Sequence, residues 1–567
     1  MSPPINTRYS LHASPTRSSV FDPIKKRLAK IFRRQEKLTL AYNGHWYHRH
    51  KIRLNMDKFN THMYVVGKTG QGKSKFLQQM LYQMAQTKRW GCGLLDPHAD
   101  LALGFLRHLA TFPRHRPWLT HIKNRERLIY LDPSRSDYII PFNILKNSFS
   151  QPHDTAENII EAFRRTWPET LADAPRFEAI LRNTLIALID ADLTMLEIAP
   201  LLRNREFRER VLTHCRNEQV IEYFHLEFDS WNSRQAAEYC ESVLNKVNAF
   251  LSHPRMRQML GSSDNYLDAR KIIDGRKVFI VNLGTLGAGK TKRLLGSLLL
   301  TQLENAAASR EGTEDYERIP FFQVVDEFHK FCPHNSEALD EAFSETRKYR
   351  FHVCVAHQTI SQLSERMWGA IENADYKVIF GSGRGTAETI TPENFKPNTT
   401  ATKPPPEENR SPVYKPLSEQ YEDFIQQILS LSPRKVYVKL PSRKTPLTVG
   451  KVVNVPKPRF KKHELEELRQ ALAKTAGLPA RSIEQQITER RKMHGLEGIG
   501  QVSDSRESAS THKSFWRSEQ KTYGAPSQPS NVPPEIKPAP RASRPQQVPR
   551  PPRHYTTFNR STIFLKA

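Results

Sequence analysis

Residues 67–74 read GKTGQGKS, a glycine-rich segment with the spacing GxxxxGK[ST]. An apolar run, MYVV, precedes it and a helical pattern follows, so a strand, a loop and a helix succeed one another. Such a loop curls its backbone N–H groups around phosphate oxygens, and the dipole of the helix favours negative charge. Lys73 is expected to reach the β- and γ-phosphates of a nucleotide, and Ser74 to bind Mg²⁺. The candidate nucleotide ligands are Gly67, Lys68, Thr69, Gly70, Gln71, Gly72, Lys73 and Ser74.

A second apolar run, FFQVVDEF at residues 321–328, contains two adjacent carboxylates at its end. Asp326 is expected to hold the hydration shell of Mg²⁺. Glu327 is expected to polarise the attacking water. Together the two motifs predict hydrolysis of ATP rather than nucleotide binding alone, with ATP and Mg²⁺ as cofactors.

Two further residues flank the run HVCVA. Gln358, at its end, either senses the γ-phosphate and positions water or is an ordinary polar residue at the end of a strand. Arg347, on the helix predicted before it, is either a solvated arginine or an arginine finger that reaches the nucleotide of a neighbouring subunit. We take the sensor and the finger as the working interpretations.

Residues 284–291, GTLGAGKT, match the same glycine-rich spacing after another apolar run. The acidic run begins about 35 residues later, which leaves little room for the strand that usually intervenes. We therefore assign the phosphate site to Lys73 and predict a loop over 284–291.

The turn DPHAD offers a third group of polar residues, Asp96, His98 and Asp100. These types could bind a metal ion, but a turn between a strand and a helix, capped by Asp, is the favoured interpretation.

The elements that must position these residues are apolar runs separated by helical patterns. Several runs are continuous rather than alternating, as in strands that are buried on both faces. The fold class expected is therefore α/β with a mostly parallel sheet. The predicted strands are Met63–Val66, Gly91–Leu95, Leu128–Leu131, Val278–Leu283, Phe321–Val325, His352–Ala356, Lys377–Phe380 and Lys435–Leu440.

Composition divides the chain further. Residues 151–270 carry helical patterns without a convincing strand, and their net charge is −5. The predicted organisation is a basic N-terminal segment over 1–60, a nucleotide-binding domain in two parts over 61–150 and 271–455, an inserted all-α domain over 151–270, a Pro-rich loop over 396–416, a charged helical segment over 456–500 and a disordered tail over 501–567.

The positive charge is concentrated at the two ends of the chain. The net charge of all 567 residues is +27, of which residues 1–60 contribute +10 and the Pro-rich residues 501–567 contribute +7. Basic ends of this kind bind phosphates or an anionic lipid surface, or merely solvate the chain. Residues 24–37 have the pattern of a short basic amphipathic helix that suits a membrane surface, DNA or a protein partner. The five cysteines contain no CxxC pair, which excludes a zinc ribbon or a disulfide scaffold and indicates a reducing compartment.

The order of the motifs resembles the FtsK/HerA superfamily of P-loop ATPases. The segments GKTGQGKS, DPHADL, LDPSRSDYIIPFNIL, VDEFHKF and RKYRFHVCVAHQTISQL follow one another over roughly residues 61–455. The group they resemble most is the TraD/TraG-type coupling ATPases of conjugation and type IV secretion, in which DPHGDL and DEFxxF recur. The resemblance implies a RecA-like core, a homo-hexameric ring and DNA in a central channel. It also implies the roles of Lys73 and Ser74 in the P-loop, Asp326 and Glu327 in the acidic motif, Arg347 as finger and Gln358 as sensor.

Two departures qualify this resemblance. Ala99 stands where the group usually has Gly, and no run approaches the 18 apolar residues of a membrane-spanning helix, whereas typical coupling proteins carry an N-terminal pair. The expected function is a cytoplasmic DNA-translocating ATPase of the coupling type, peripheral at the inner face of the membrane, with relaxase or secretion-channel proteins as partners. The alternatives are a HerA-like helicase or motor in DNA repair or packaging, and a secretion ATPase or ATP-switched scaffold that moves no DNA.

Overall fold

The computed structural model describes residues 36–44, 48–114, 117–171, 173–287, 289–331, 345–372, 374–403, 413–441, 447–456 and 460–496. The predicted helix over 24–37 lies outside these ranges except for its last two residues, and Lys37 begins a strand. The predicted disordered tail over 501–567 lies wholly outside them.

One large sheet organises the described part of the chain, and four short strands form two small ladders. One ladder pairs Thr402 with Tyr414 inside the predicted Pro-rich loop. The strands are β1 (Lys37–Asn43), β2 (His50–Asn55), β3 (Met63–Val66), β4 (Gly91–Asp96), β5 (Leu128–Leu131), β6 (Tyr138–Ile139), β7 (Val278–Asn282), β8 (Phe321–Asp326), β9 (Phe351–His357), β10 (Tyr376–Ile379), β11 (Thr402–Lys403), β12 (Val413–Tyr414), β13 (Lys435–Lys439), β14 (Leu447–Val452) and β15 (Leu478–Pro479).

The large sheet has eleven strands in the order β2-β1-β14-β13-β10-β3-β9-β8-β4-β7-β5. The seven strands from β10 to β5 are parallel. The four at the other edge pair antiparallel. Seven of the eight predicted strands are the parallel ones, and the eighth is β13. The predicted α/β fold with a mostly parallel sheet is confirmed.

The sheet begins earlier in the chain than residue 61, where the sequence placed its start. β1 pairs with β2 and with β14, and so extends the antiparallel edge. β1 buries Leu38, Leu40 and Ala41, while β2 buries only Ile52 and Leu54. Polar and charged residues stand between them, so the basic composition concealed two half-buried strands.

Eighteen α-helices occur in the described residues, and none is long and apolar enough to cross a membrane. The helices are α1 (Lys73–Gln86), α2 (Asp100–Thr111), α3 (Ile122–Arg127), α4 (Pro152–Thr166), α5 (Pro168–Leu171), α6 (Pro175–Asp190), α7 (Ile198–Arg203), α8 (Arg205–Leu212), α9 (Glu218–Glu222), α10 (Ser233–Leu251), α11 (Pro254–Gly261), α12 (Ala269–Asp274), α13 (Gly289–Ala308), α14 (Glu365–Glu372), α15 (Arg384–Asn394), α16 (Leu417–Leu429), α17 (Lys462–Ala476) and α18 (Ala480–Met493).

Helices α4 to α12 fill the chain between β6 and β7, and no strand occurs among the described residues of that stretch. They are tied to the helices that cover the sheet. Arg165 of α4 is buried and pairs with Glu304 of α13 at 3.2 Å. The limits of a separate all-α domain, residues 151–270, remain a prediction.

Helices α17 and α18 pack onto the rest of the chain rather than project from it. Arg469 of α17 pairs with Asp132, just after β5. Arg490 of α18 is buried, pairs with Glu197 at 3.2 Å and donates a hydrogen bond of 2.7 Å to the carbonyl of Gly261. The segment predicted as charged helices therefore connects the sheet to the helical region.

Parallel pairing brings the carboxyl ends of the central strands to one edge of the sheet. Val66 of β3 is paired with His357 of β9, and Ala356 with Asp326 of β8. The next strand, β4, ends at Asp96. The loops that follow these strands therefore meet, as ligand sites do in open α/β sheets.

Candidate active site

The loop after β3 has the backbone of a phosphate-binding loop. Gly70 has φ +83° and Gly72 φ +108°, values in the left-handed region that glycine adopts without the cost of a Cβ. No atom lies within 4 Å of the position that a Cβ on Gly70 would take, so this side of the loop is open. Gly72 is the N-cap of α1, whose first N–H groups are available to an anion.

Lys73 is the first residue of α1, and its side chain is buried. Its Nζ donates a hydrogen bond to the carbonyl of Gly67. Burial lowers the pKa of its ammonium, and the carboxylates of Glu327 and Asp326 act in the opposite direction. The cation therefore lies between the loop and the acidic strand.

Backbone hydrogen bonds from residues next to β10 and β13 also hold the loop. The N–H of Lys68 donates to the carbonyl of Gly381 at 2.9 Å, and the N–H of Arg434 donates to the carbonyl of Gln71 at 2.8 Å. No sequence motif pointed to Arg434, because its contact is made by its backbone. Four residues of the loop are exposed: Lys68, Thr69, Gly70 and Ser74.

The two carboxylates of the acidic motif are almost completely buried, with 8% of Asp326 and 5% of Glu327 exposed. Burial, with the charges of Asp96 and Glu327, raises the pKa of Asp326 to about 7, although Lys73 opposes the shift. Glu327 has φ +48°, so the chain turns sharply at this residue. Two buried acids side by side at this position favour a cationic ligand.

Gln358 connects the loop to the acidic strand. Its Nε2 donates to Glu327 Oε1 at 2.9 Å, and its Oε1 accepts a hydrogen bond from Thr69 Oγ1 at 2.9 Å. The structure therefore brings Lys73, Asp326, Glu327 and Gln358 to one place, as their positions at the ends of strands predicted.

Asp96 neighbours this group, which the sequence analysis did not anticipate. Its buried carboxylate accepts hydrogen bonds of 2.8 Å from the N–H groups of His98 and Ala102, so it caps α2. Among the described residues there is no cluster of three or more His, Cys, Asp or Glu that could hold a metal ion. The pairing of β4 with β8 places Asp96 beside Asp326, and only the strand order could have revealed this.

Arg347 lies before the amino end of β9, whereas the site lies at the carboxyl ends of the parallel strands. It belongs to the short 3₁₀ helix Thr346–Tyr349 before β9, whereas Gln358 follows β9. At about 3.3 Å per residue the strand separates them by roughly 20 Å, which is beyond the reach of one side chain. Arg347 is exposed, so it is available to a neighbouring subunit but not to its own site.

The second glycine-rich segment does not form a phosphate-binding loop. Among the described residues before position 288, neither Gly284 nor Gly287 has a positive φ. β7, which precedes it, pairs with β4 and β5 rather than with the acidic strand. The loop predicted over 284–291 ends early, because Gly289 already begins α13.

The residues around Lys73 fit a nucleoside triphosphate and Mg²⁺. Lys73 donates to a carbonyl of its own loop, and the loop is open at Gly70, so a phosphate group has both a cation and space. Ser74 and Asp326 are the residues whose oxygens could hold Mg²⁺. Mg²⁺ takes such ligands sparingly from protein and completes its octahedron with water and phosphate.

Two families match the chain. Residues 44–303 match the family described as Helicase HerA, central domain. Residues 320–392 match the family described as TraM recognition site of TraD and TraG. No curated protein matches the sequence.

Solved structures of bacterial conjugative coupling proteins have a similar fold. The unbound monoclinic form of TrwBdeltaN70 has a TM-score of 0.51 at 15% identity, over 77% of this chain and 93% of its own. TrwB in complex with the non-hydrolysable GTP analogue GDPNP has a TM-score of 0.50 at 16% identity, over 72% of this chain and 90% of its own.

Fold and site together define a P-loop NTPase. Within that class, the predicted resemblance to the FtsK/HerA superfamily and to the TraD/TraG-type coupling proteins is confirmed by the two family matches.

Proposed function

We propose that this chain is an ATP-dependent motor that moves DNA, of the coupling type that serves conjugation and type IV secretion. The observation that carries the proposal is the convergence of Lys73, Asp326, Glu327 and Gln358 in a chain that matches the HerA and TraD/TraG families. The complex of TrwB with a GTP analogue supports nucleotide binding at the same fold.

The geometry supports a hydrolytic mechanism. Mg²⁺ held by Ser74 and Asp326 would offset charge on the β- and γ-phosphates. Glu327 accepts a proton from the attacking water while the bond from the γ-phosphorus to the bridging oxygen breaks. Lys73 stabilises the charge that develops on the phosphate oxygens. Gln358 positions Glu327 through its amide.

A homo-hexameric ring follows from the same proposal. Arg347 is too far from the site of its own chain, so its use as an arginine finger requires a neighbouring subunit. We assign DNA as the substrate and relaxase or secretion-channel proteins as partners, with the name of the family matched by 320–392 in support of a protein partner. A cytoplasmic location, with membrane contact through residues 24–37, remains part of the proposal.

A second candidate is a HerA-like helicase or motor in DNA repair or packaging, which the match of residues 44–303 favours. The two candidates share the enzyme and differ in partners: a relaxase or secretion channel supports the first, and a nuclease supports the second. A scaffold that moves no DNA differs from both in that DNA leaves its ATPase rate unchanged.

The deciding experiment measures the ATPase rate of the full chain with and without single-stranded and duplex DNA, on protein sized by light scattering. We expect DNA to stimulate the rate and to promote a hexamer. The matched variant is Glu327→Gln, which keeps the shape of the side chain but cannot accept a proton, and should bind ATP without turnover. If DNA does not change the ATPase rate and the chain stays monomeric, the proposed motor function is wrong.

A further inference from the structure

The second glycine-rich segment leaves two lysines that the active site does not use. Lys290 and Lys292 lie in the first turn of α13, which follows β7 at the same edge of the sheet as the active site. β4 separates β7 from the acidic strand β8. The two lysines therefore flank the site without entering it.

Lys292 lies beside two residues from other segments, Lys330 and His98. Its Nζ donates to the carbonyl of Pro97 at 3.0 Å. His98 follows Pro97 in the chain, and its Nε2 lies 2.6 Å from Nζ of Lys330. Burial lowers the pKa of Lys292, and the charge of Lys330 lowers it further. The side chains of Lys292, Lys330 and His98 are thus close enough to influence one another.

Lys290 extends this group to the other side of α13. Lys290 is exposed. Burial lowers the pKa of Lys246 on α10, and the charge of Lys290 lowers it further. We call Lys246, Lys290, Lys292 and Lys330, with His98, the lysine row. Its members come from four separate segments of the chain.

No carboxylate neutralises the lysine row in the part of the chain that the structure describes. None of its four lysines forms a salt bridge there. Asp96 is the nearby acid whose charge acts on Lys292, but it is buried and its oxygens accept backbone hydrogen bonds. Bringing like charges together costs free energy, which a bound anion offsets.

We propose that the lysine row binds the phosphodiester backbone of DNA, an inference that rests on the proposed function. A free phosphate ion carries the same kind of charge. However, Gly284 and Gly287 of the second glycine-rich segment lack the left-handed backbone with which a phosphate-binding loop surrounds such an ion. A row of lysines from several segments instead suits a chain of phosphates, which lysine contacts as a point charge whatever the base sequence.

The lysine row also connects DNA to hydrolysis. Lys330 ends the 3₁₀ turn Phe328–Lys330, which begins directly after Glu327. The same short segment therefore carries the general base and a DNA contact, so a shift at one is transmitted to the other.

The test compares the full-length wild type with the double variant Lys290→Gln/Lys292→Gln. The matched control is Lys277→Gln, because Lys277 precedes the same strand at the opposite edge and donates to the carbonyl of Glu126. Anisotropy of labelled single-stranded and duplex oligonucleotides over a series of salt concentrations gives the dissociation constant and its salt slope. The ATPase rate without DNA reports on the active site.

We expect the double variant to bind DNA about tenfold more weakly, with a salt slope smaller by about two, because each lost lysine contact releases about one counterion fewer. Its thermal midpoint and its ATPase rate without DNA should equal those of the wild type, and Lys277→Gln should bind DNA as the wild type does.

Two outcomes would overturn the proposal that the lysine row binds DNA. One is a double variant whose DNA affinity and salt slope equal those of the wild type, while the wild type itself binds DNA. The other is displacement of DNA from the wild type by inorganic tripolyphosphate at low micromolar concentration, which would indicate a free-phosphate site. A wild type that does not bind DNA at all would instead contradict the proposed function.

Discussion

Gln358 donates a hydrogen bond of 2.9 Å to Glu327, and this bond joins the end of β9 to the end of β8. Because the same side chain accepts a hydrogen bond from Thr69, it contacts both halves of the site. A bound γ-phosphate that draws Thr69 away would change how Gln358 holds the general base. Gln358 is therefore a positioning residue in this mechanism.

Gln358→Ala should lower kcat by about 10- to 100-fold with little change in KM, because a misplaced base affects the transition state more than binding. Steady-state kinetics that separate kcat from KM provide the measurement. Gln362→Ala, on the following turn, is the control; equal losses in the two variants would indicate a purely structural role for Gln358.

Lys73→Ala should reduce ATP turnover by about 10²- to 10³-fold or more, because the lost ammonium faces the phosphate oxygens in a buried position. Lys290→Ala should keep its turnover without DNA within about twofold, because its backbone does not form a phosphate-binding loop. A coupled ATPase assay on both variants decides between the two glycine-rich segments. Inactivity of Lys290→Ala alone would reverse the assignment.

The sequence predicted well those strands that the sheet buries on both faces. β7 is buried at all five residues and reads as a continuous apolar run. β14, by contrast, is buried only at Gly450 and Val452, with Lys451 between them. A strand that is only half buried has the composition of a loop, so β1, β2 and β14 became visible only through their pairing.

The sequence predicted those parts of the candidate site that depend on the residue types at the ends of strands. The spacing of the two glycine-rich segments is the same, and backbone dihedral angles and strand order separate them. Arg347 stands eleven residues before Gln358 in the sequence, yet the two lie at opposite edges of the sheet. Distances of this kind depend on tertiary structure, which a local pattern does not contain.

Asp326 should make the stability of the nucleotide-free protein depend on pH. Its pKa is about 7, against an ordinary value of 3.8, so the folded chain binds this proton more tightly than the unfolded chain. The stabilisation is fully present below about pH 4 and is lost as the pH rises to about 7. In Asp326→Asn the part of this dependence that comes from Asp326 should disappear, so the difference in stability between low and high pH should become smaller. Thermal midpoints of the two proteins at about pH 5 and about pH 8 provide the measurement, and parallel changes would contradict the assignment.

Ala99→Gly should stabilise the protein by about 1 kcal/mol, because Ala99 has φ +73°, which is strained for any residue with a Cβ. This is also the position at which related motifs have Gly. Thermal unfolding measures the gain. Ala102→Gly, on the same helix and fully buried, is the control and should lose stability. A loss in both variants would show that the strain at residue 99 is not released.

Arg347 should act only between subunits, because the length of β9 separates it from the site of its own chain. An arginine finger contributes roughly 10³- to 10⁵-fold to the rate. The ATPase rate per subunit should therefore rise steeply with protein concentration, and Arg347→Ala should be nearly inactive at every concentration. Lys348→Ala, which removes the adjacent cation and its bond to Glu345, is the matched control and should stay active.

Mixing two inactive variants tests the same geometry directly. Arg347→Ala subunits keep an intact phosphate-binding loop, and Lys73→Ala subunits keep the finger. In a mixed ring, an Arg347→Ala subunit next to a Lys73→Ala subunit has both parts at one interface, so the mixture should recover part of the wild-type rate. The recovery should peak at an intermediate ratio of the two proteins, because each productive interface needs one of each. A mixture as inactive as its components, together with a wild-type rate that does not depend on concentration, would make Arg347 a structural residue and would remove the ring from the mechanism.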